Sequence, residues 1–243
     1  MNDPRPERQF PTTRWSLIAR LKSGDAQEAE NAVSEIYKSY RYPLYGYLRT
    51  AGMQHEDAED VLQSFFAKML RQDAFIRADR DRGRLRTFLL TALSRFRSNF
   101  HRGERRRSER VQAEADLWDA DEARYRMEQR PSSETPEVYY DRRWALELMQ
   151  RVRQQLRLDY QERGKEDLHE ALAPLLSSSQ TEPESFQATA MRLGVTENAL
   201  RVSLSRLRGD FRRILMREVQ RTVSADEDPK EEIRHLLRLF EAS

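Results

Sequence analysis

The sequence predicts an all-α protein built from two small helical domains joined by an acidic linker. Helix-forming residues, chiefly Arg, Glu, Leu, Ala and Gln, fill most of the 243-residue chain. Glycine (8) and proline (9) are scarce, and the alternating pattern of β-branched residues that marks strands is nearly absent. Because 35% of the residues are charged and 38% are apolar, two small cores fit the composition better than one large core.

The N-terminal part of the chain predicts a short lead and two helices. Residues 1–13 contain three prolines and are expected to be disordered. A first helix is expected from Thr13 to Gly24, and a second over Ala26–Tyr42. Pro43 interrupts the second helix or opens a further one, which ends near Gly52.

Two more helices complete the first predicted domain, residues 14–107. One starts at His55–Asp57 and carries apolar residues at helical spacing as far as Leu70. The polar stretch 75–83 is expected to be a loop. A strongly periodic helix then places one set of apolar side chains on a single stripe: Leu85, Phe88, Leu89, Leu93 and Phe96.

A linker and a second domain follow. Periodicity weakens after Arg102, and the motif RPSSETPE at 130–137 indicates a linker, placed at 108–140. The second domain, 141–223, starts with an amphipathic helix that carries Trp144, Leu148, Val152, Leu156 and Tyr160. A shorter helix is expected at 167–176 and a loop at 177–185. The tail, 224–243, predicts a terminal helix.

Charge is distributed in three blocks along the chain, although the net charge is only +2. The segment from Arg80 to Arg110 contains eleven arginines and three acids, and the segment from Arg192 to Arg221 contains eight arginines and three acids. Between them, Glu114–Glu137 holds eight acids and three arginines. Two basic segments separated by an acidic one indicate two contacts with a polyanion and a tether that avoids it.

The segment FQATAMRLGVTENALRVSLSRLRGDFRRIL, at 186–215, predicts a helix-turn-helix motif. Gly194 suits the tight stop after the first helix, Val195 is expected to plug between the helices, and Thr196 can cap the second. Leu200, Leu204, Leu207 and Phe211 form the expected buried stripe of the second helix.

The opposite face of that helix predicts contact with DNA, because Arg and Ser can bind base edges in the major groove and further arginines can bind phosphates. The expected DNA-contacting residues are Thr196, Asn198, Arg201, Val202, Ser205, Arg206, Arg208 and Arg212. The alternative interpretation is a surface helix whose arginines are merely solvated.

Two segments precede the helix-turn-helix motif: EIYKSYRYPLYGYLRTAGMQHEDAEDVLQSFFAKML (35–70) and GRLRTFLLTALSRFRSNFHRGERRR (83–107). In this order the motifs resemble those of the extracytoplasmic-function sigma factors of bacterial RNA polymerase. The two segments resemble sigma domain two, and the helix-turn-helix resembles sigma domain four. The segments TTRWSLI and EEIRHLL are similar to a planctomycete-type sub-group, some members of which are linked to Ser/Thr kinases. The resemblance implies a non-enzymatic protein that directs core polymerase to promoters.

The resemblance also implies which residues contact the polymerase. The helix that starts at His55–Asp57 would dock on the coiled coil of the β′ clamp, and domain four on the β flap. The contact residues implied are Asp57, Glu59, Asp60, Gln63 and Phe66. The alternative is a capped helix with a solvated acidic first turn, which is a common arrangement.

The basic helix after residue 83 would open the promoter and bind its minus-ten strand. The residues expected to face outward, or to continue its basic face, are Arg86, Ser94, Arg97, His101, Arg102, Arg105 and Arg106. The loop at 75–83 would form part of a pocket for an extruded base. The acidic linker would either mimic RNA in the exit channel or serve as a soluble spacer; both interpretations stay open.

Other classes of function find little support in the sequence. We find no phosphate loop, nucleophile elbow or Cys/His arrangement, so we expect no enzyme, no cofactor and no metal site. The absence of cysteine and of a membrane-spanning run predicts a cytoplasmic protein. The alternatives are a helix-turn-helix regulator that binds duplex DNA without polymerase and a helical protein-interaction adaptor. An anti-sigma factor, a kinase or the tail at 224–243 could regulate a sigma factor, and the sequence does not rank them.

Overall fold

A computed structural model describes residues 17, 25–71, 84–100, 112–128, 134–176, 183–223 and 227–241, and every regular element in these ranges is helical. The α-helices are α1 (Ala26–Thr50), α2 (His55–Arg71), α3 (Leu85–Ser98), α4 (Gln112–Met127), α5 (Pro136–Glu162), α6 (Glu166–Leu172), α7 (Pro183–Arg192), α8 (Glu197–Gln220) and α9 (Pro229–Glu241). A 3₁₀ turn at Ala173–Leu176 follows α6. The all-α prediction is confirmed.

The chain forms two compact units, which we call the first unit and the second unit. The first unit contains residues 1–145 and 220–243, and the second contains residues 146–219. This grouping differs from the predicted boundaries, because the predicted linker segment and the tail both fall within the first unit. Helix α5 begins in the first unit and ends in the second.

Helix α1 is longer than predicted and runs through Pro43 without a break. Asp25 caps it by accepting a hydrogen bond from the Glu28 backbone N–H at 3.0 Å. A proline inside a helix costs one backbone hydrogen bond. Burial on both sides of Pro43 offsets this cost, since Tyr40 and Leu44 are completely buried. The helix ends where Gly52 takes a positive φ of 87°.

Helices α1, α2 and α3 share an aromatic and aliphatic core. The ring of Phe66 on α2 lies edge-on to the ring of Tyr37 on α1, with 5.0 Å between the ring centres. The ring centres of Phe65 on α2 and Phe96 on α3 are 5.8 Å apart. Leu89 and Leu93 of α3 are fully buried, as the periodicity predicts. This packing fixes the orientation of α2 and α3, the two helices that carry the predicted polymerase and promoter contacts.

Helix α4 lies within the predicted acidic linker and packs on α1. Asp121 forms a buried, bidentate ion pair with Arg41, and Glu122 binds Arg49 through two hydrogen bonds of 2.9 Å. Acids that were counted as repelling nucleic acid are therefore used inside the first unit, where they neutralise the arginines of α1. The described part of the predicted linker thus includes a helix that packs on α1; residues 108–111 and 129–133 of the linker lie outside the described residues.

The second unit is organised around the later part of α5. Leu148, Val152, Leu156 and Tyr160 are buried, which confirms the predicted amphipathic stripe. The helix starts earlier than predicted, at Pro136, a residue type favoured in the first turn of a helix. Helices α6, α7 and α8 complete this unit and contain the predicted helix-turn-helix segment.

Candidate nucleic-acid interface

The turn between α7 and α8 has the local geometry that the sequence predicts. Gly194 adopts φ = 64°, and the Val195 N–H donates to the Ala190 carbonyl at 3.1 Å. The Thr196 hydroxyl oxygen then accepts from the Ala199 N–H at 3.2 Å and so caps α8. The predicted stop and the predicted cap are both confirmed.

One part of the predicted motif is wrong. Val195 was expected to plug between the two helices, but 40% of its surface is exposed. Phe186 and Ala190 of α7 supply the buried apolar contacts instead. The turn is held mainly by backbone hydrogen bonds and by the cap.

Helix α8 has one buried face and one exposed polar face. Leu200, Leu204 and Leu207 are buried, while Phe211 is half-buried. The exposed residues on this helix and its cap include most of those predicted to contact DNA: Thr196, Asn198, Arg201, Val202, Ser205, Arg206 and Arg212. We call the set Arg201, Val202, Ser205 and Arg206 the α8 polar face. Its orientation is as predicted.

Arg201 is held in place although its side chain is 66% exposed. Its guanidinium lies 5.4 Å from the centre of the Phe186 ring, and Glu197 lies 3.9 Å away, one helical turn earlier. Stacking and a neighbouring carboxylate reduce the number of rotamers that an exposed arginine samples. A restrained arginine loses less entropy when it binds a base edge.

Some arginines of α8 are already used within the second unit. Arg208 donates to the Leu175 carbonyl at 3.0 Å, and Arg213 binds Asp210 at 2.8 Å. Burial alone would raise the pKa of Asp210, but hydrogen bonds from Arg213 and Arg163 lower it. Arg163 and Leu175 thus connect α8 to the turn after α5 and to the 3₁₀ turn after α6. Arg208 is therefore a weaker candidate for binding phosphate than the sequence suggested.

Helix α3 differs from its predicted role at its first turn. Arg86 was expected to face outward, but it is only 3% exposed, so that expectation was wrong. Its side chain binds Asp141 at 2.9 Å and also pairs with Glu232. Carboxylates from two other helices draw this arginine into the interior. A direct contact between Arg86 and DNA is therefore not available in this conformation.

The other predicted residues of this basic segment are only partly described. Ser94 and Arg97 are half-buried, and the Arg97 guanidinium lies 5.8 Å from the centre of the Tyr47 ring. The predicted contacts His101, Arg102, Arg105 and Arg106, and the predicted base pocket at 75–83, lie outside the described residues.

The predicted polymerase contacts on α2 divide into two groups. Asp57, Asp60 and Gln63 are partly exposed. Glu59 and Phe66 are buried, with 1% and 4% exposure, so the expectation that they form a docking surface was wrong. Phe66 packs on Tyr37, and the amide of Gln63 lies 3.5 Å from Glu59. The exposed first turn of α2 is thus acidic but smaller than predicted.

A cavity of about 320 Å³ joins the two predicted contact regions of the first unit. Asp57 of α2 and Arg97 of α3 both line it, together with Phe100 and the turn between α1 and α2. The sequence had assigned Asp57 to polymerase and Arg97 to DNA as parts of separate surfaces. The two side chains lie at one site.

Sequence reasoning missed the role of the tail acids. Glu232 of α9 is completely buried and pairs with both Arg84 and Arg86. A signal was present in the sequence: Glu232 lies four residues before Leu236 and eight before Phe240, in phase with the apolar stripe of the predicted tail helix. An acid in phase with an apolar stripe predicts a buried ion pair.

The described ranges lack two other kinds of feature. Over those ranges we find no helix with the length and hydropathy that crossing a membrane requires. The same ranges hold no group of histidine and carboxylate side chains placed to bind a metal ion. Comparison of the chain with protein-family models, with curated proteins and with solved structures gives no match.

Proposed function

We propose that this protein is a sigma factor of the extracytoplasmic-function type, which binds core RNA polymerase and directs it to promoters. The observation that carries the proposal is the α8 polar face, where two arginines, a serine and a valine project from a capped helix whose leucines are buried. Such a face fits the major groove, where Arg binds guanine edges and an apolar side chain contacts the thymine methyl.

The first unit supports the part of the proposal that concerns polymerase. The first two turns of α2 present Asp57 and Asp60, both partly exposed, and aromatic contacts pack the other side of this helix against α1 and α3. The order of motifs that resembles sigma domains two and four adds support, since a simple regulator needs only the second of them. In the proposed function, α2 binds the polymerase, while α8 binds the upstream promoter element.

A duplex-binding regulator is the second candidate, and one observation favours it. The α8 polar face is open, whereas Arg86, an expected strand contact of α3, is buried. A regulator would bind its duplex equally well with and without polymerase. A sigma factor would bind its duplex weakly alone and would start RNA synthesis when core polymerase is added.

Arg201→Ala and Arg206→Ala are each expected to reduce transcription from promoters that the wild-type protein uses. The loss of one base contact costs about 1–3 kcal/mol, or about 5- to 150-fold in promoter affinity. The assay is transcription from sheared native genomic DNA with core polymerase, followed by mapping of RNA 5′ ends. Arg157→Ala is the matched control, because it removes an exposed charge from α5 in the same unit, at a side chain that is 50% exposed against 66% for Arg201.

Three results would contradict the proposal or its assignment of residues. If wild-type protein and core polymerase start no RNA from any site, the sigma proposal fails. If specific duplex binding occurs without polymerase and polymerase adds nothing, the regulator candidate stands. If Arg157→Ala is as harmful as Arg201→Ala, the α8 polar face is not the base-reading surface.

Asp57→Lys combined with Asp60→Lys is expected to weaken binding to core polymerase at least tenfold, because it reverses the charge of the α2 surface proposed to dock. The measurement is co-migration with labelled core polymerase over a protein titration. Glu30→Lys, on an exposed part of α1, is the control for a charge change that leaves this surface intact. Both variants are first shown to be folded by circular dichroism, and equal loss in the folded control would then remove α2 as the docking element.

A further inference from the structure

The tail helix α9 covers the start of α3 with a cluster of ion pairs, all within the first unit. Arg84 lies 2.8 Å from Glu232 and 3.2 Å from Glu227. Arg86 pairs with Glu232, which has no exposed surface. Arg84, the N-cap residue of α3, and Arg86, in its first turn, are therefore paired with acids that belong to the tail.

Arg86 is also held from the α5 side. Asp141 accepts a hydrogen bond from its Nε at 2.9 Å, and its guanidinium lies 4.9 Å from the centre of the buried Trp144 ring. Burial alone would lower the pKa of Arg86, but Glu232 and Asp141 raise it above its usual value, so the group stays charged. A permanently charged arginine in this position needs the carboxylates, because a buried charge without partners is strongly unfavourable.

We infer that α9 is an autoinhibitory clasp on the basic end of α3, which competes with nucleic-acid phosphates for Arg84 and Arg86. The inference rests on the proposed function, in which α3 binds the opened promoter strand. Glu227 and Glu232 occupy the anion-binding groups of these two arginines in the free protein. When α9 leaves, two negative charges leave with it: Arg84 loses both carboxylates, and Arg86 keeps only Asp141, so phosphate can bind the groups that Glu227 and Glu232 occupied.

The clasp is built as a separable element. Helix α9 has its own N-terminal hydrogen bond, from the Lys230 N–H to the Asp228 carboxylate at 2.9 Å. It has 13 residues, a length at which a helix without tertiary contacts is marginal in water. Release of α9 from α3 is therefore coupled to its unfolding, and anions that replace Glu227 and Glu232 on the two arginines favour the open state.

The chain offers a matched pair of variants for testing the clasp. Glu232→Gln removes the buried charge, while Glu231→Gln removes the charge of its sequence neighbour, whose side chain is 70% exposed. Binding of a fluorescent single-stranded DNA of random sequence is measured by anisotropy over a salt series. Glu232→Gln is expected to raise affinity about tenfold and Glu231→Gln to leave it unchanged.

Removal of the whole tail tests the clasp through the salt dependence of DNA binding. A chain that ends at Val223 lacks Glu227 and Glu232, while Asp141 still pairs with Arg86. Its plot of log affinity against log salt should be steeper by about 0.7 if Arg84 alone gains a phosphate, and by about 1.4 if Arg86 gains one as well, at about 0.7 for each added phosphate contact on a single strand. Hydrogen exchange of the wild-type protein is the companion measurement. Amides of 229–241 should exchange faster than those of α1 and α2, which shows that α9 opens on its own.

A cross-link that holds α9 on the first unit tests the opposite state, the closed clasp, in the full-length chain. The protein has no cysteine, so Asp141→Cys and His235→Cys introduce a unique pair at positions whose side chains now lie 3.9 Å apart. A cleavable bismaleimide linker should hold α9 closed and keep DNA affinity low. Cleavage of the linker in the same sample should raise affinity, and the comparison cancels any effect of the two substitutions themselves.

The outcomes separate the clasp from the proposed function. If wild-type holoenzyme starts RNA but Glu232→Gln, the shortened chain and the unlocked form bind single strands no better than their controls, the clasp is wrong and the sigma proposal stands. If 229–241 exchange only together with α1 and α2, α9 is a permanent part of the core and the clasp is also wrong. If no form binds DNA or starts RNA, the proposed function fails, and the clasp fails with it.

Discussion

Gly46→Ala is expected to destabilise the first unit by at least about 2 kcal/mol, because a well-packed core tolerates added atoms poorly. A Cβ at this position would lie 2.1 Å from Cε1 of Tyr139 and 2.6 Å from its hydroxyl oxygen. Tyr139 has no room to move: it is fully buried, donates to Glu128 at 2.7 Å and lies edge-on to Tyr125 at 5.9 Å. The better helix propensity of alanine, about 1 kcal/mol, does not offset the clash.

The measurement for Gly46→Ala is urea unfolding followed by tryptophan fluorescence. All three tryptophans of the chain precede residue 146, so the signal reports on the first unit. In a Tyr139→Ala background the same substitution should become neutral or stabilising, since the clashing ring is gone. Gly209→Ala, where an added Cβ meets nothing within 4 Å, should stabilise α8 slightly, as followed by far-UV circular dichroism. A destabilisation that persists without the Tyr139 ring would contradict this explanation.

The contact between Gly46 and Tyr139 shows where sequence reasoning ends. Helical periodicity predicted α2, α3 and α8 well, because the stripe on each helix is a local property of the chain. A glycine in the middle of α1 reads as a weak point of a helix, and only the packing of α5 against α1 explains why no larger residue fits. Contacts between residues far apart in sequence leave no periodic signal in either segment.

The candidate interface divides in the same way. The α8 polar face follows from local rules, namely a glycine stop, a threonine cap and leucines at helical spacing, and its exposure was predicted correctly. Arg86, Glu59 and Phe66 were assigned to surfaces because each belongs to a motif, and all three are buried. The partners that bury them come from elsewhere in the chain, Glu232 for Arg86 and Tyr37 for Phe66. Charge alone did not predict orientation.

The acidic segment illustrates a second limit. A run of acids between two basic segments predicts a solvated tether, since unpaired charges favour water. In the structure, Asp121 and Glu122 of α4 find Arg41 and Arg49 of α1, and each pair is more than 70 residues apart in sequence. Alternating acids and arginines can therefore form a folded layer when their spacing matches that of a partner helix. The sequence shows that α4 carries acids and α1 carries arginines, so their attraction could have been predicted. Which acid pairs with which arginine could not, because that depends on how the two helices pack.

Glu122→Gln is expected to destabilise the first unit by about 3 kcal/mol at neutral pH, because it leaves a partly buried arginine without its carboxylate. Glu122 accepts hydrogen bonds from Tyr45 at 2.5 Å, from Arg49 at 2.9 Å and from Arg126 at 2.6 Å. His55 lies 4.0 Å away. Burial alone would raise the pKa of Glu122, but these donors lower it from 4.5 to about 2.

The pH dependence of the unfolding free energy tests the same network of hydrogen bonds, and its sign follows from the lowered pKa of Glu122. A carboxyl group whose pKa is lower in the folded state binds protons more readily when unfolded, so it stabilises the fold above pH 4.5 and loses that effect as the pH falls toward 2. A shift of this size corresponds to about 3 kcal/mol. The difference in unfolding free energy between wild type and Glu122→Gln should therefore be largest above pH 5 and nearly vanish at pH 2.

Asp119→Asn supplies the control for this comparison, because it removes the same charge from α4 at a side chain that is 79% exposed. It should change stability by less than about 0.5 kcal/mol, as exposed pairs usually do. If Glu122→Gln and Asp119→Asn behave alike, or if the gap for Glu122→Gln is constant from pH 7 to pH 2, then α4 is not fastened to α1 by its acids. In that case the acidic segment would be free to act as the tether that the charge pattern suggested, and the first unit would end before it.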